Sequence, residues 1–115
     1  MKTFQTVIIT PNGRIFDGKV TSLTAPGDEG LLGVLPGHAP LFVRLPKGVL
    51  TLKLPDGERY YALYAGILEV KPDGNVLILS DHADLSDSKE KAELQVASLT
   101  ELFPAGQELV LTKAR

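Results

Sequence analysis

The chain of 115 residues carries 43% apolar and 23% charged residues with a formal net charge of -2, which gives room for one ordinary domain with a short appendage and excludes wholesale disorder. No block of like charge stands out, which argues against nucleic acid as a partner. The absence of cysteine excludes a disulfide framework, thiolate metal sites and a cysteine nucleophile. Met1 to Gln5 leads directly into a strand-like run without a signal-peptide core, and no apolar stretch reaches membrane-spanning length. Any link to a membrane is expected to run through other proteins.

From Phe4 to Ser80 the apolar runs are short, β-branched or aromatic, and separated by turn signals. Those signals are Pro11-Asn12-Gly13, the stretch Pro26–Gly30, Pro36-Gly37, Pro46-Lys47-Gly48, Pro55-Asp56-Gly57 and Pro72-Asp73-Gly74. Proline fixes the φ that starts a turn, and glycine supplies the positive φ that closes it. Leu50, Leu52 and Leu54 alternate with Val49, Thr51 and Lys53, as a strand with one buried face requires. The segment from Arg59 to Tyr64 should pair back on it, and Ile67–Val70 should pair with Val76–Leu79 through the 72–75 turn. Eight to ten short strands result, and their apolar faces need a second layer. The expected fold is therefore mainly β, a sandwich or flattened barrel over residues 1–84.

After Asp81 the pattern changes. Ser86 to Phe103 holds neither Gly nor Pro, and Ala92, Val96, Leu99 and Phe103 recur at helical spacing. Ser86 is the expected N-cap, with Asp87 complementing the positive helix end. Pro104 and Gly106 stop the helix. Residues 107–115 read equally as short helix, edge strand or frayed end. Residues 85–115 thus form a C-terminal helical appendage.

The chemistry-bearing residues are sparse. Ser80, Asp81 and His82 resemble a triad in one line, yet adjacent residues on an extended segment point to opposite faces and cannot relay a proton. His82 and Asp84 offer two metal ligands without a visible third. Gly27, Gly30 and Gly33 match neither the dinucleotide nor the Walker spacing, and Asp28 and Glu29 would repel phosphate, so a tight structural loop is the better reading. Neither a catalytic residue nor a cofactor or metal site emerges. Tyr60, Tyr61 and Tyr64 cluster on one strand; Tyr60 and Tyr64 share a face opposite Tyr61, which makes those two the candidates for a partner-facing surface.

The stretches Val7–Gly18 and Ala25–Pro40 carry T-P-x-G, F-x-G and then P-G-x-x-G-x-x-G-V-L-P-G-H-A-P. This motif resembles that of the epsilon subunit of the F-type ATP synthase, bacterial or chloroplast type. Tyr64–Val70 and Val76–Leu79 resemble the family's glycine-centred strand and the one after it, with Ala65 standing where a first glycine is usual. The resemblance implies a β-sandwich in the central rotor stalk, bound to the gamma subunit and touching the loops of the c-ring, peripheral on the cytoplasmic or stromal side of the membrane. It implies no catalysis by this chain, which would couple ion flow to ATP synthesis mechanically. The ring-facing loop maps onto Asp28 to His38. Asp28, Glu29, Leu31 and His38 are its candidate residues; an acidic residue is common where Leu31 stands, which leaves Glu29 and His38 as the polar candidates.

Family members commonly end in a two-helix hairpin that reaches toward the catalytic head or binds ATP through spaced arginines. Here only one helix is clear and Arg is absent from residues 86–103, so a parked helix that neither inhibits nor senses nucleotide is expected. A stand-alone ligand-binding sandwich, such as a carbohydrate module, is the rival reading, opposed by the absence of Trp.

Overall fold

The computed structural model describes residues 2–102, with side chains through residue 98. Ten strands precede one helix. Sheet A contains β1 (Phe4–Thr10), β2 (Gly13–Val20), β5 (Leu41–Leu45), β8 (Gly66–Val70) and β9 (Val76–Ser80), in the order β2-β1-β9-β8-β5. Sheet B contains β3 (Ser22–Gly27), β4 (Gly30–Val34), β6 (Gly48–Leu54), β7 (Gly57–Leu63) and β10 (Ala83–Ser86), in the order β10-β7-β6-β3-β4. The helix α1 spans Lys89–Leu102. This is the expected β-sandwich followed by a short helix.

The period-two pattern decides which residues enter the core. Leu50 and Leu52 of β6 are wholly buried, and across the interlayer lie Ile8, Leu68 and Ile78 from sheet A, equally dry. Each such side chain contributes about 1.5–3 kcal/mol of transfer free energy on burial. Both hairpins read from Pro-Asp-Gly turns form: Leu54 pairs with Gly57 and Val70 with Val76, each antiparallel. Sheet A also contains a parallel pairing, of Thr6–Ile9 in β1 with Val76–Leu79 in β9.

Two expectations need correction. Ser86 is not the helix cap. It ends β10, an edge strand absent from the sequence reading, where it pairs with Tyr60, and its hydroxyl bonds the Gln95 side chain. Ser88 caps instead, its Oγ accepting the Lys91 N–H at 3.2 Å while its carbonyl accepts the Ala92 N–H at 3.0 Å. The expected division at residues 84 and 85 falls inside β10. Second, Asp28 to His38 is not one loop, because Gly30–Val34 is a strand paired with β3. Leu99, Phe103, Pro104, Gly106 and residues 107–115 lie outside the described side chains.

Along α1, Ala92 is wholly buried, and Val96 packs with Ala65 against Ala62 and Tyr64. The helix begins beside Tyr60, which lines one cleft with Lys89 and Glu93, and advances toward Tyr64 and Ala65. It therefore runs opposite to β10, in which Ala83 pairs with Leu63 and Ser86 with Tyr60.

Gly66 is fixed by space. A Cβ at that position would collide with the Leu79 carbonyl oxygen of the neighbouring strand and lie 3.2 Å from Ser80 Cα, backbone that a paired strand cannot move aside. Gly66→Ala should cost on the order of 3 kcal/mol, read as a fall in Tm of roughly 12–20 °C; an unchanged Tm would refute the packing argument.

Tyr61, 2% exposed, has its phenol pushed above the ordinary value chiefly by burial, with Arg59 opposing. A raised folded pKa means that its contribution to stability is whole below about pH 10, the unperturbed tyrosine value, and is lost as pH rises toward the folded one. Denaturant midpoints measured from pH 8 to 11 should fall above pH 10, less steeply in Tyr61→Phe. Parallel curves would exclude Tyr61 as the source.

Candidate docking surfaces

The four residues expected to face one partner are split between two ends of the sandwich. Asp28 and Glu29 form the tip of the β3–β4 hairpin, where Gly27 opposes Gly30 and Gly30 takes φ of +122°, a value that favours glycine. Leu31 follows, 75% exposed. Pro26 lies against Gly48 at the start of β6, within 2.5 Å of a Cβ built there, so this tip belongs to the end where β6 begins. His38 lies beyond the far end of β4, separated from Glu29 by roughly 17 Å of strand. It sits in a turn closed by its own N–H donating to the Leu35 carbonyl at 3.0 Å, and its ring Nδ1 donates to the Ala39 carbonyl at 2.7 Å. A cleft of about 550 Å³ joins it to Phe4, Lys19 and the 72–75 turn.

The tyrosine pair also divides. Tyr60 is half-buried, and its hydroxyl donates to Glu58 Oε1 at 2.5 Å, which holds the phenol above its ordinary pKa. Tyr64 is 3% exposed beneath α1. Its face of the strand is covered by the chain's own helix, so with α1 docked it presents no surface to a partner.

The Ser80 hydroxyl serves the backbone: it donates to the Ala65 carbonyl at 2.5 Å and accepts the His82 N–H at 3.2 Å. The His82 imidazole Nε2 instead lies 2.7 Å from Asp84 Oδ2. The hydroxyl and the ring thus have separate partners, as the extended geometry requires. Among the described residues, no three His, Asp or Glu side chains come together as a metal site would need.

Sequence reasoning missed the outer face of sheet A. Inward-pointing Ile8, Ile78 and Leu68 leave Val7, Ile9, Leu77, Leu79 and Ile67 pointing outward. The register makes them contiguous: Val7 lies beside Leu77, Ile9 beside Leu79, and Leu79 beside Ile67. Leu79 is 42% exposed, and Phe42, opposite Glu69, is 68% exposed at the β5 edge. Val7, Ile9, Ile67 and Leu77 are half-buried on this face, and the helix α1 packs on β6, β7 and β10 of sheet B instead. The available signal was the unbroken run Val76-Leu77-Ile78-Leu79, which is the pattern of a strand apolar on both faces rather than one.

Fold and surface together define the class: a small β-sandwich that covers one sheet with its own helix and leaves the other sheet apolar and open. Residues 3–86 match the family described as ATP synthase, Delta/Epsilon chain, beta-sandwich domain. The chain is 36% identical over 107 residues to an ATP synthase epsilon chain of Alkalihalophilus pseudofirmus, covering 85% of this chain and 80% of the relative. It is 35% identical over 111 residues to that of Leptospira borgpetersenii, covering 94% and 87%. In the cryo-EM structure of Euglena gracilis mitochondrial ATP synthase containing OSCP, F1 and c-ring, a chain shares the fold with a TM-score of 0.70 at 20% identity, the match covering 88% of this chain and 65% of that one. In the central stalk and c-ring of the Tetrahymena thermophila mitochondrial enzyme the TM-score is 0.61 at 20% identity, over 71% of this chain and 66% of that one. The chain belongs to the ATP synthase epsilon chain family.

Proposed function

We propose that this chain is a rotor subunit of the central stalk of an F-type ATP synthase, which binds the gamma subunit through the outer face of sheet A and meets the c-ring loops through the Asp28–Glu29 tip. The observation that carries the reading is the open apolar block of Val7, Ile9, Ile67, Leu77 and Leu79, in a family whose members are ATP synthase chains. A flat pleated surface on a rigid sandwich has already met most of its ordering cost before it binds. Catalysis belongs to the assembled enzyme; this chain transmits torque. Among the described residues no helix is long and apolar enough to cross a membrane. The proposed position is peripheral, on the side of the membrane where the catalytic head sits, cytoplasmic or stromal.

A specific interface of standard size buries about 1,600 Å², so the purified chain should co-elute with a cognate gamma subunit in size exclusion. Leu79→Glu alters a partly exposed side chain, so stability should change by about 1 kcal/mol or less. The same substitution should weaken gamma binding at least about tenfold, equivalent to ~1.4 kcal/mol. Wild-type affinity in this variant would remove sheet A from the interface.

The separation of the two ends yields a second test. Glu29→Lys should reduce proton-coupled ATP synthesis in the reconstituted enzyme while the Tm of the isolated chain stays unchanged, since the residue is on an exposed turn. His38→Ala, at the opposite end, should leave synthesis intact. The reverse pattern would turn the sandwich end for end relative to the ring.

A further inference from the structure

The register of sheet A sets the side chains of its outer face in two cross-strand rows. Asp17, Val7, Leu77, Glu69 and Phe42 stand opposite one another in turn across the five strands. Arg14, Ile9, Leu79, Ile67 and Arg44 form the next row, about 7 Å further along β1. The first row thus places a carboxylate on each side of its apolar centre, and the second ends in a guanidinium group on each side.

On the β2 side the two signs neutralise each other within the chain. Arg14 Nη1 lies 2.9 Å from Asp17 Oδ2, and Asp17 Oδ1 accepts a hydrogen bond from the Gln5 side-chain amide. On the β5 side they do not. Glu69 and Arg44 are diagonal neighbours across the β5–β8 ladder, a separation of about 7–8 Å that long side chains can bridge. Neither has a hydrogen bond or an ion pair among the described residues. Glu69 is half-buried between Leu77 and Phe42, whereas Arg44 is exposed at the edge. A partner that covers the apolar row also covers the Glu69 carboxylate. Removing that charge from water without a counter-charge is strongly unfavourable, so the covering surface has to bring a cation to this point.

We propose that Glu69 and Arg44 determine which surface docks on sheet A and in which orientation: the gamma subunit carries a cation that meets Glu69 and an acidic group within reach of Arg44. This rests on the assignment of sheet A to the gamma subunit, and adds the chemistry of the surface that fits. The apolar centre alone holds little such information, because hydrophobic attraction is non-directional. The charges supply it. A half-turn of the partner about the normal to the sheet exchanges the rows, setting its cation over Arg14 and its acid over Asp17, and like charges brought together exclude that arrangement.

Glu69→Gln and Arg44→Gln remove charges that have no partner within the described chain, so the Tm of the isolated protein should stay unchanged. Binding kinetics with a cognate gamma subunit separate the two roles. Glu69→Gln should raise koff at least about tenfold, as loss of a covered charge pair does. Arg44→Gln should lower kon, and its difference from wild type should vanish at about 1 M salt, where the Debye length is ~3 Å. In the double variant the two fold-changes in Kd should multiply; a double variant no weaker than Glu69→Gln alone would mean that the two residues merely neutralise each other on docking, and would overturn the proposal. Gamma variants selected to bind Glu69→Lys should exchange a Lys or Arg for an acidic residue, and rescue by apolar replacements alone would count as refutation. Leu79→Glu serves as the comparison. Weakened binding in that variant with unchanged koff in Glu69→Gln would overturn the charge assignment and leave sheet A as the gamma face, whereas wild-type affinity in all three single variants would remove both.

Discussion

The parallel pairing of β1 with β9 brings Thr6–Ile9 against Val76–Leu79 and makes one sheet from two pieces of chain, the β1–β2 hairpin and the β5–β8–β9 group. Local turns account for the pieces, but nothing local joins them. The same four-residue contact sends Ile8 and Ile78 into the interlayer and Val7, Ile9, Leu77 and Leu79 to the outside. Side chains alternate along a strand, so the core and the apolar outer block come from one register, and a slip of one residue would exchange them. The binding surface proposed for the gamma subunit is in this sense the reverse side of the folding core.

Two sheets have four faces, and packing them together resolves only two. Sheet B covers part of its outer face with α1, where the small residues Ala62 and Ala92 let the helix approach closely over Tyr64. Sheet A receives no helix in the described chain. This asymmetry supports a division of labour in which the helix side is completed within the chain and the open side by the assembly. It also explains why Tyr64 and Leu79, both apolar and both pointing outward, differ so much in exposure.

The turns add a second level of organisation. Asp28 and Glu29 project from one end and His38 from the other, because β4 runs between them. A rigid strand of that kind fixes the two sites relative to each other and to the open face of sheet A. In the rotor role proposed above, such a scaffold would hold both turns in fixed positions.

Much of the architecture was legible in the sequence because it is set by neighbours along the chain. Pro55-Asp56-Gly57 and Pro72-Asp73-Gly74 fix their hairpins through turn geometry, and the alternation of Leu50 and Leu52 fixes which face is buried. The helical spacing of Ala92 and Val96 marked the face of α1 that docks. β10 was not legible, since Ala83, Asp84, Leu85 and Ser86 have little strand propensity; they form a strand because the edge of β7 offers a ladder. That pairing moved the cap from Ser86 to Ser88, two residues with the same hydroxyl. Gly30–Val34 read as loop because of its glycines, and became a strand by pairing with β3. The sequence alone determined the sandwich, its local hairpins and the family motif. Tertiary structure decided which outer face stays open, that Tyr64 is covered, and that Glu29 and His38 lie at opposite ends, because each depends on pairings between segments distant in the chain, which no local pattern encodes.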